Sequence, residues 1–191
     1  MYPMIRFGLP RSLKTKPGMG KQKGAQFERD VCRMLSLALS NNYRDDIFWR
    51  SAMSGGRATI GAGRENQVGD ISSVGAEGFA LTDNFVIECK RYKNLDLDRF
   101  LVLNDGKLFD FWMRLWELSV NSKRHPLLIF QENRRPMLGL TTGEGEKKLS
   151  GIIGSSYEII LTCFGMRDPC LQAGSLYSVL RFYKIPVVKE Q

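Results

Sequence analysis

Apolar positions along this chain change period several times, and each change marks an element. From Gly24 to about Ser40, Phe27, Val31, Met34, Leu35 and Ala38 recur at three- and four-residue spacing, which predicts an amphipathic helix. Asn41-Asn42 stops it, and Ile47-Phe48-Trp49-Arg50-Ser51 follows as a short strand. Asp70-Ile71-Ser72-Ser73-Val74 and the run from Phe85 to Lys90 read as two further strands, and the Gly- and Asp-bearing segment between them predicts a hairpin. The helical period returns in Leu108, Phe111, Trp112, Leu115 and Leu118, giving a second helix from about Gly106 to Ser122. An apolar strand from Pro126 to Gln131, a turn at Glu132–Arg135 and a returning strand at Met137–Leu140 come next, and Tyr157–Phe164 and Tyr177–Tyr183 also have strand character. Helix, strands, helix, strands implies the α/β class, with a mixed sheet flanked by helices.

Two stretches carry neither period. Before Glu28 there is no acidic residue, while Arg6, Arg11, Lys14, Lys16, Lys21 and Lys23 alternate with Pro and Gly, so residues 1–22 read as a flexible basic arm. The Gly- and Arg-rich stretch SGGRATIGAGRENQVGD has the composition of a functional loop, and it lacks the GxxxxGK[ST] pattern of a phosphate-cradling nucleotide site. The expected organisation is a core over residues 23–143, with 144–191 as a C-terminal extension packed on it.

Composition narrows the partner. The 191 residues carry 28 Lys plus Arg against 20 Asp plus Glu, a net charge of +8, which favours a polyanion such as DNA. No apolar run is long enough to span a bilayer and no signal-peptide core opens the chain, so the expectation is an intracellular protein without a membrane partner, cytoplasmic or associated with the nucleoid. The four cysteines have no zinc spacing and no pairing pattern, and are expected to be reduced and mostly buried. The single histidine, His125, reads as a loop residue leading into a strand, which leaves carboxylates, lysine and a metal to carry any hydrolysis.

The chemistry concentrates on one strand. Alternation places Val86, Glu88 and Lys90 on one face and Ile87 and Cys89 on the other, so two charges share a face at the end of an apolar run. Asp70, brought alongside by the hairpin, adds a second carboxylate. Two convergent carboxylates suit Mg2+, with Mn2+ as a substitute, and the Cys89 backbone carbonyl is a candidate further ligand. Glu28, on the first helix, completes the set as a ligand or as a holder of the nucleophile. The bland alternative for Glu88 and Lys90 is a cross-strand ion pair on a solvated face, worth little to stability.

Taken in chain order, Lys23-Gly24-x-x-x-Glu28-Arg29, Arg50-Ser51 with Ser54-Gly55-Gly56, Gly69-Asp70-Ile71 and Ile87-Glu88-Cys89-Lys90 resemble the PD-(D/E)XK nucleases, with the nearest likeness to Holliday junction resolvases of archaeal type. The resemblance covers about Lys23 to Leu140. It implies a restriction-endonuclease-like fold, a metal site of Glu28, Asp70, Glu88 and Lys90, Ser54 near the scissile phosphate, and a homodimer acting on branched DNA. Phosphate contacts are expected from Lys21, Lys23, Arg29, Arg50, Arg57, Arg64, Arg91 and Lys93, which would position DNA without reading bases. Gly69 stands where the family often has proline, and the loop from Gly55 to Gly69 is long, which leaves substrate choice open. A small basic nuclease of this kind would suit a phage. Two other readings of the same residues stand: a nicking, repair or restriction-like nuclease on duplex DNA, and a non-catalytic DNA-binding module of the same fold.

Overall fold

The computed structural model describes residues 19–51, 68–153, 157–164 and 177–184, with side chains over 22–51 and 68–153. Ser54, Arg57 and Arg64 lie outside the described residues, as do Cys170 and most of the basic arm; the side chains of Lys21 and Cys163 do so too.

A sheet of five strands forms the centre, in the order β3 (Phe85–Tyr92), β4 (His125–Glu132), β5 (Leu138–Thr142), β7 (Tyr177–Lys184) and β6 (Tyr157–Phe164). It is mixed: β3 and β4 are parallel and the other neighbours antiparallel. A smaller antiparallel pair, β1 (Phe48–Arg50) with β2 (Ile71–Ser73), lies beside the free edge of β3. The α/β class and mixed sheet expected from the periodicity are the ones observed.

Both faces of the sheet are covered, which is why β3 and β4 read as near-continuous apolar runs. On one face Phe85, Ile87, Cys89, Leu127 and Ile129 pack with Phe27, Val31 and Leu35 of α1 (Met19–Leu39) and Leu149 and Ile153 of α5 (Gly143–Ile153). On the other, Val86, Leu128, Phe130 and Leu140 pack with Phe100 of α3 (Leu97–Leu103) and Leu108, Trp112 and Leu115 of α4 (Lys107–Ser122). Trp112, essentially buried, anchors this second core. Truncation of such a residue to Ala costs about 3–5 kcal/mol.

The second and first helices match the expected ones, although α1 begins at Met19, so its first turn takes in the end of the basic arm. Helices α3 and α5 were not legible from periodicity. α3 is a short helix held between two residues in the left-handed region, Asp96 and Asn104. α5 opens on glycine and has a third in its last turn, a composition that hides its period. Beyond residue 144 the chain continues the same core and sheet, since Leu149 and Ile153 pack against α1 and β7 pairs with β5.

One expectation is overturned. β2 and β3 do not form a hairpin: a 3-10 turn (Ala76–Gly78) and the short α2 (Phe79–Thr82) intervene, and buried Leu81 ties the crossing to the α1 core. The start of β2 reaches β3 in parallel, through a bridge between Gly69 and Ile87. Parallel neighbours need a crossing connection, which the eleven positions from 74 to 84 supply and a tight turn cannot.

Candidate active site

The site is built where β3 runs out of the core. Burial along β3 is complete from Phe85 to Ile87 and relaxes from Glu88 onward, with Arg91 and Tyr92 exposed. The first half of the strand fixes the second, because Val86 and Ile87 are clamped between the two helical layers.

Asp70 is delivered to the free edge of β3 by backbone bonds. Its amide donates to the Ile87 carbonyl at 2.7 Å, and its carbonyl accepts from the Ser51 amide at 2.9 Å. The residue is buried to 7% exposure, and its Oδ2 accepts from the Cys89 amide at 2.9 Å. Gly69 makes this approach possible. Its φ of +101° lies in the left-handed region, and a Cβ there would stand 2.7 Å from the Ile87 carbonyl oxygen. Proline, locked near −65°, cannot occupy that conformation, which explains glycine at the position where the motif often has proline.

Glu88 and Lys90 share the α4 face, as alternation predicts. The Lys90 ammonium donates to Glu88 Oε1 and lies 3.7 Å from Asp70 Oδ2, so one cation bridges two carboxylates. It also sits 5.5 Å from the centre of the Phe111 ring, an aromatic neighbour that the sequence marked only as part of an apolar helix stripe. Burial holds the Glu88 carboxyl above its ordinary value, and the Asp70 charge adds to the effect. For Lys90 burial pulls downward, but the Glu88 and Asp70 carboxylates outweigh it and keep the ammonium charged.

Glu28 is held at the margin of this group by an ion pair with Arg50, which is thereby half-buried against α1. Its charge is felt at Glu88 and at Cys89. Cys32 and Cys89 are buried free thiols, and burial pushes Cys32 up to about 12. Lys23, Arg29, Arg91 and Lys93 are exposed, Arg29 bonding to Gln26 at 2.9 Å. Ser51, which follows Arg50 in the motif set, is bound to Asp70 through its amide, and its Oγ is buried and has no hydrogen-bond partner among the described residues.

A family model described as "Phage putative PDDEXK endonuclease" matches residues 19–167. The chain belongs to this family. No curated protein and no solved structure matches it significantly. PDDEXK endonucleases are divalent-metal-dependent nucleases as a class, and all of Glu28, Asp70, Glu88 and Lys90 lie within the matched residues.

The residues present suit such an ion. Asp70 and Glu88 offer carboxylate oxygens, already gathered around one positive charge. The Cys89 amide points at Asp70, and since a strand residue turns its N–H and C=O to the same side, its carbonyl also faces the free edge of β3. Among the described residues no three His, Cys, Asp or Glu side chains form a metal cage. One or two carboxylates with the remaining positions left to water and phosphate is the habit of Mg2+. Among the described residues no helix is long and apolar enough to cross a membrane.

Proposed function

We propose that this PDDEXK endonuclease hydrolyses DNA phosphodiester bonds with Mg2+ as the physiological ion and Mn2+ as a substitute, at a centre made of Asp70, Glu88, Lys90 and the Cys89 carbonyl, with Glu28 completing it. The observation that carries this reading is the Lys90 ammonium shared between the Asp70 and Glu88 carboxylates at the free edge of β3. A surface ion pair would not need a buried Asp70 fixed by three backbone bonds.

A divalent ion bound there supplies Lewis-acid polarisation of the phosphate and acidifies water at the site. The protein's own part is positional and electrostatic. Asp70, locked by the Ile87, Cys89 and Ser51 backbone, cannot swing, so it fixes where a cation and hence a phosphate can sit. Lys90 has three donors, and those not engaged by Glu88 are available to orient the attacking water and to offset charge building on the phosphorus oxygens. In the overall step a water oxygen attacks phosphorus, one bridging P–O bond breaks, and the alkoxide leaving group takes up a proton. Glu28 and Arg50 flank this centre from α1 and β1, while Lys21, Lys23, Arg29, Arg91 and Lys93, with Ser54, Arg57 and Arg64 of the glycine-rich stretch, supply phosphate contacts.

Branched DNA as substrate, and a dimer acting on it, rest on the likeness of the motif set to the archaeal-type resolvases. The experiment is cleavage of labelled four-way junction and duplex DNA with Mg2+ or Mn2+, wild type against Glu88→Ala. Cutting that needs both the metal and Glu88 is the expected result, and preference for the junction would make the enzyme a resolvase. Tight DNA binding without cutting under any divalent metal would move the protein to the non-catalytic module.

A further inference from the structure

The two sheets are joined through Gly69 and Asp70, and this has a consequence for Trp49. Paired residues in an antiparallel ladder project to the same face, and residues two apart on one strand do so as well. Ile71, in the α1 core, pairs with Arg50, so Arg50 projects to the α1 side, where it meets Glu28. Ser72 therefore projects to the opposite side, away from the α1 core, and Trp49, paired with Ser72, projects with it. That is the side of β3 on which Glu88 and Lys90 stand. The backbone runs from Trp49 to Ser51, whose amide bonds the Asp70 carbonyl at 2.9 Å.

Trp49 is 65% exposed on that face, whereas Trp112, on the same side of the main sheet, is 1% exposed. A large flat indole held on a strand, next to the proposed centre in a chain of net charge +8, has the features of a base-stacking platform. We propose that Trp49 stacks on an unpaired nucleobase of the substrate next to the scissile phosphate, and so selects DNA with a single-stranded stretch at the cleavage position over continuous duplex. In intact duplex both faces of each base are already stacked, so the indole finds no partner. This inference rests on the nuclease reading given above and names the substrate class of the same site.

The test uses the full chain, a duplex with a short single-stranded gap, and the matching intact duplex. Wild type is expected to favour the gapped DNA in kcat/KM, and Trp49→Ala to reduce that preference by about 10- to 100-fold, the range given by loss of one aromatic–base stack. Trp49→Phe keeps the preference within a few-fold, because the ring still stacks. Single-stranded oligonucleotide in EDTA should quench the wild-type tryptophan fluorescence, and the quenching should be absent in Trp49→Phe. Equal losses by Trp49→Ala on both substrates, or no loss on either, would overturn the proposal. So would a shift of Trp49→Ala to a smaller species in gel filtration, which would make Trp49 a contact between copies of the chain. Should wild type cut neither DNA with any divalent metal, the nuclease reading fails separately, and the quenching decides stacking by itself: present in wild type and lost in Trp49→Phe supports it, absent in wild type sinks it.

Discussion

The two faces of β3 are built from the same eight residues and do opposite things. Toward α1, Phe85, Ile87 and Cys89 are buried to the end of the run and contribute to a closed apolar core. Toward α4, Val86 is buried in the second core, but Glu88 and Lys90 replace the apolar positions that would have continued it. Continuing the apolar pattern would add stability at roughly 0.8 kcal/mol per buried methylene. Two charges and a neighbouring carboxylate are kept there instead, and Glu88 is held in a place that disfavours its ionised form. Stability is concentrated on one face and given up at the end of the other, the usual signature of a site under functional demand.

The sharpest break of this comparison is Glu88→Gln. Metal-dependent DNA cleavage should fall by about 100- to 1000-fold or more, as for loss of a group acting on the transition state, in single-turnover assays. The melting temperature should not fall with it. Because the folded-state value of Glu88 is raised, the stability linked to its protonation is present at acid pH and is lost as pH rises through the carboxylate range. The Gln variant, lacking that ionisation, should therefore melt at or above wild type at neutral pH without metal. A lower melting point there would show that Glu88 is a structural ion-pair partner of Lys90.

On the opposite face, Ile87→Ala should lower stability by about 2–5 kcal/mol. For a chain of this size that corresponds to roughly 5–15 °C in the melting point, read by calorimetry. Below its melting point it should cleave within a few-fold of wild type, since the Asp70 contact is to the Ile87 backbone and not to its side chain. Gly69→Ala lies between the two faces. Left-handed strain and the clash with the Ile87 carbonyl should cost about 1–3 kcal/mol, and cleavage should fall by more than stability accounts for, because Asp70 moves with residue 69. Wild-type cleavage in a Gly69→Ala variant would mean that the edge approach is not needed. The smallest effect is at the thiols: Cys32 and Cys89, buried and raised, should resist alkylation in the native protein at neutral pH, as mass spectrometry of their peptides would reveal.

Much of this was legible in the chain. The period of Phe27, Val31 and Leu35 gave α1, the uninterrupted apolar runs gave β3 and β4, and alternation alone put Glu88 with Lys90. What stayed hidden has physical causes. α3 is too short for its spacing to stand out, and its limits are two left-handed residues whose conformation no periodicity reports. The contact of β2 with β3 is parallel and not a hairpin, and a Gly-bearing segment between two strands looks the same in sequence whether it closes a hairpin or begins a crossing. Phe111 next to Lys90 reads in the sequence only as part of an apolar helix stripe, since helical spacing cannot tell a buried ring from one that borders a charge.

By itself the sequence determined the class of the fold, the family, the basic character and the identity of the charged residues on β3, because these follow from local period, composition and motif. Only the tertiary structure decided how the residues meet. Asp70 reaches Glu88 and Lys90 in parallel and not by a hairpin, Arg50 turns to Glu28, and Trp49 stands on the side of the carboxylates. Each of these is a matter of register between strands distant in the chain, where a shift of one residue would turn every side chain to the other face.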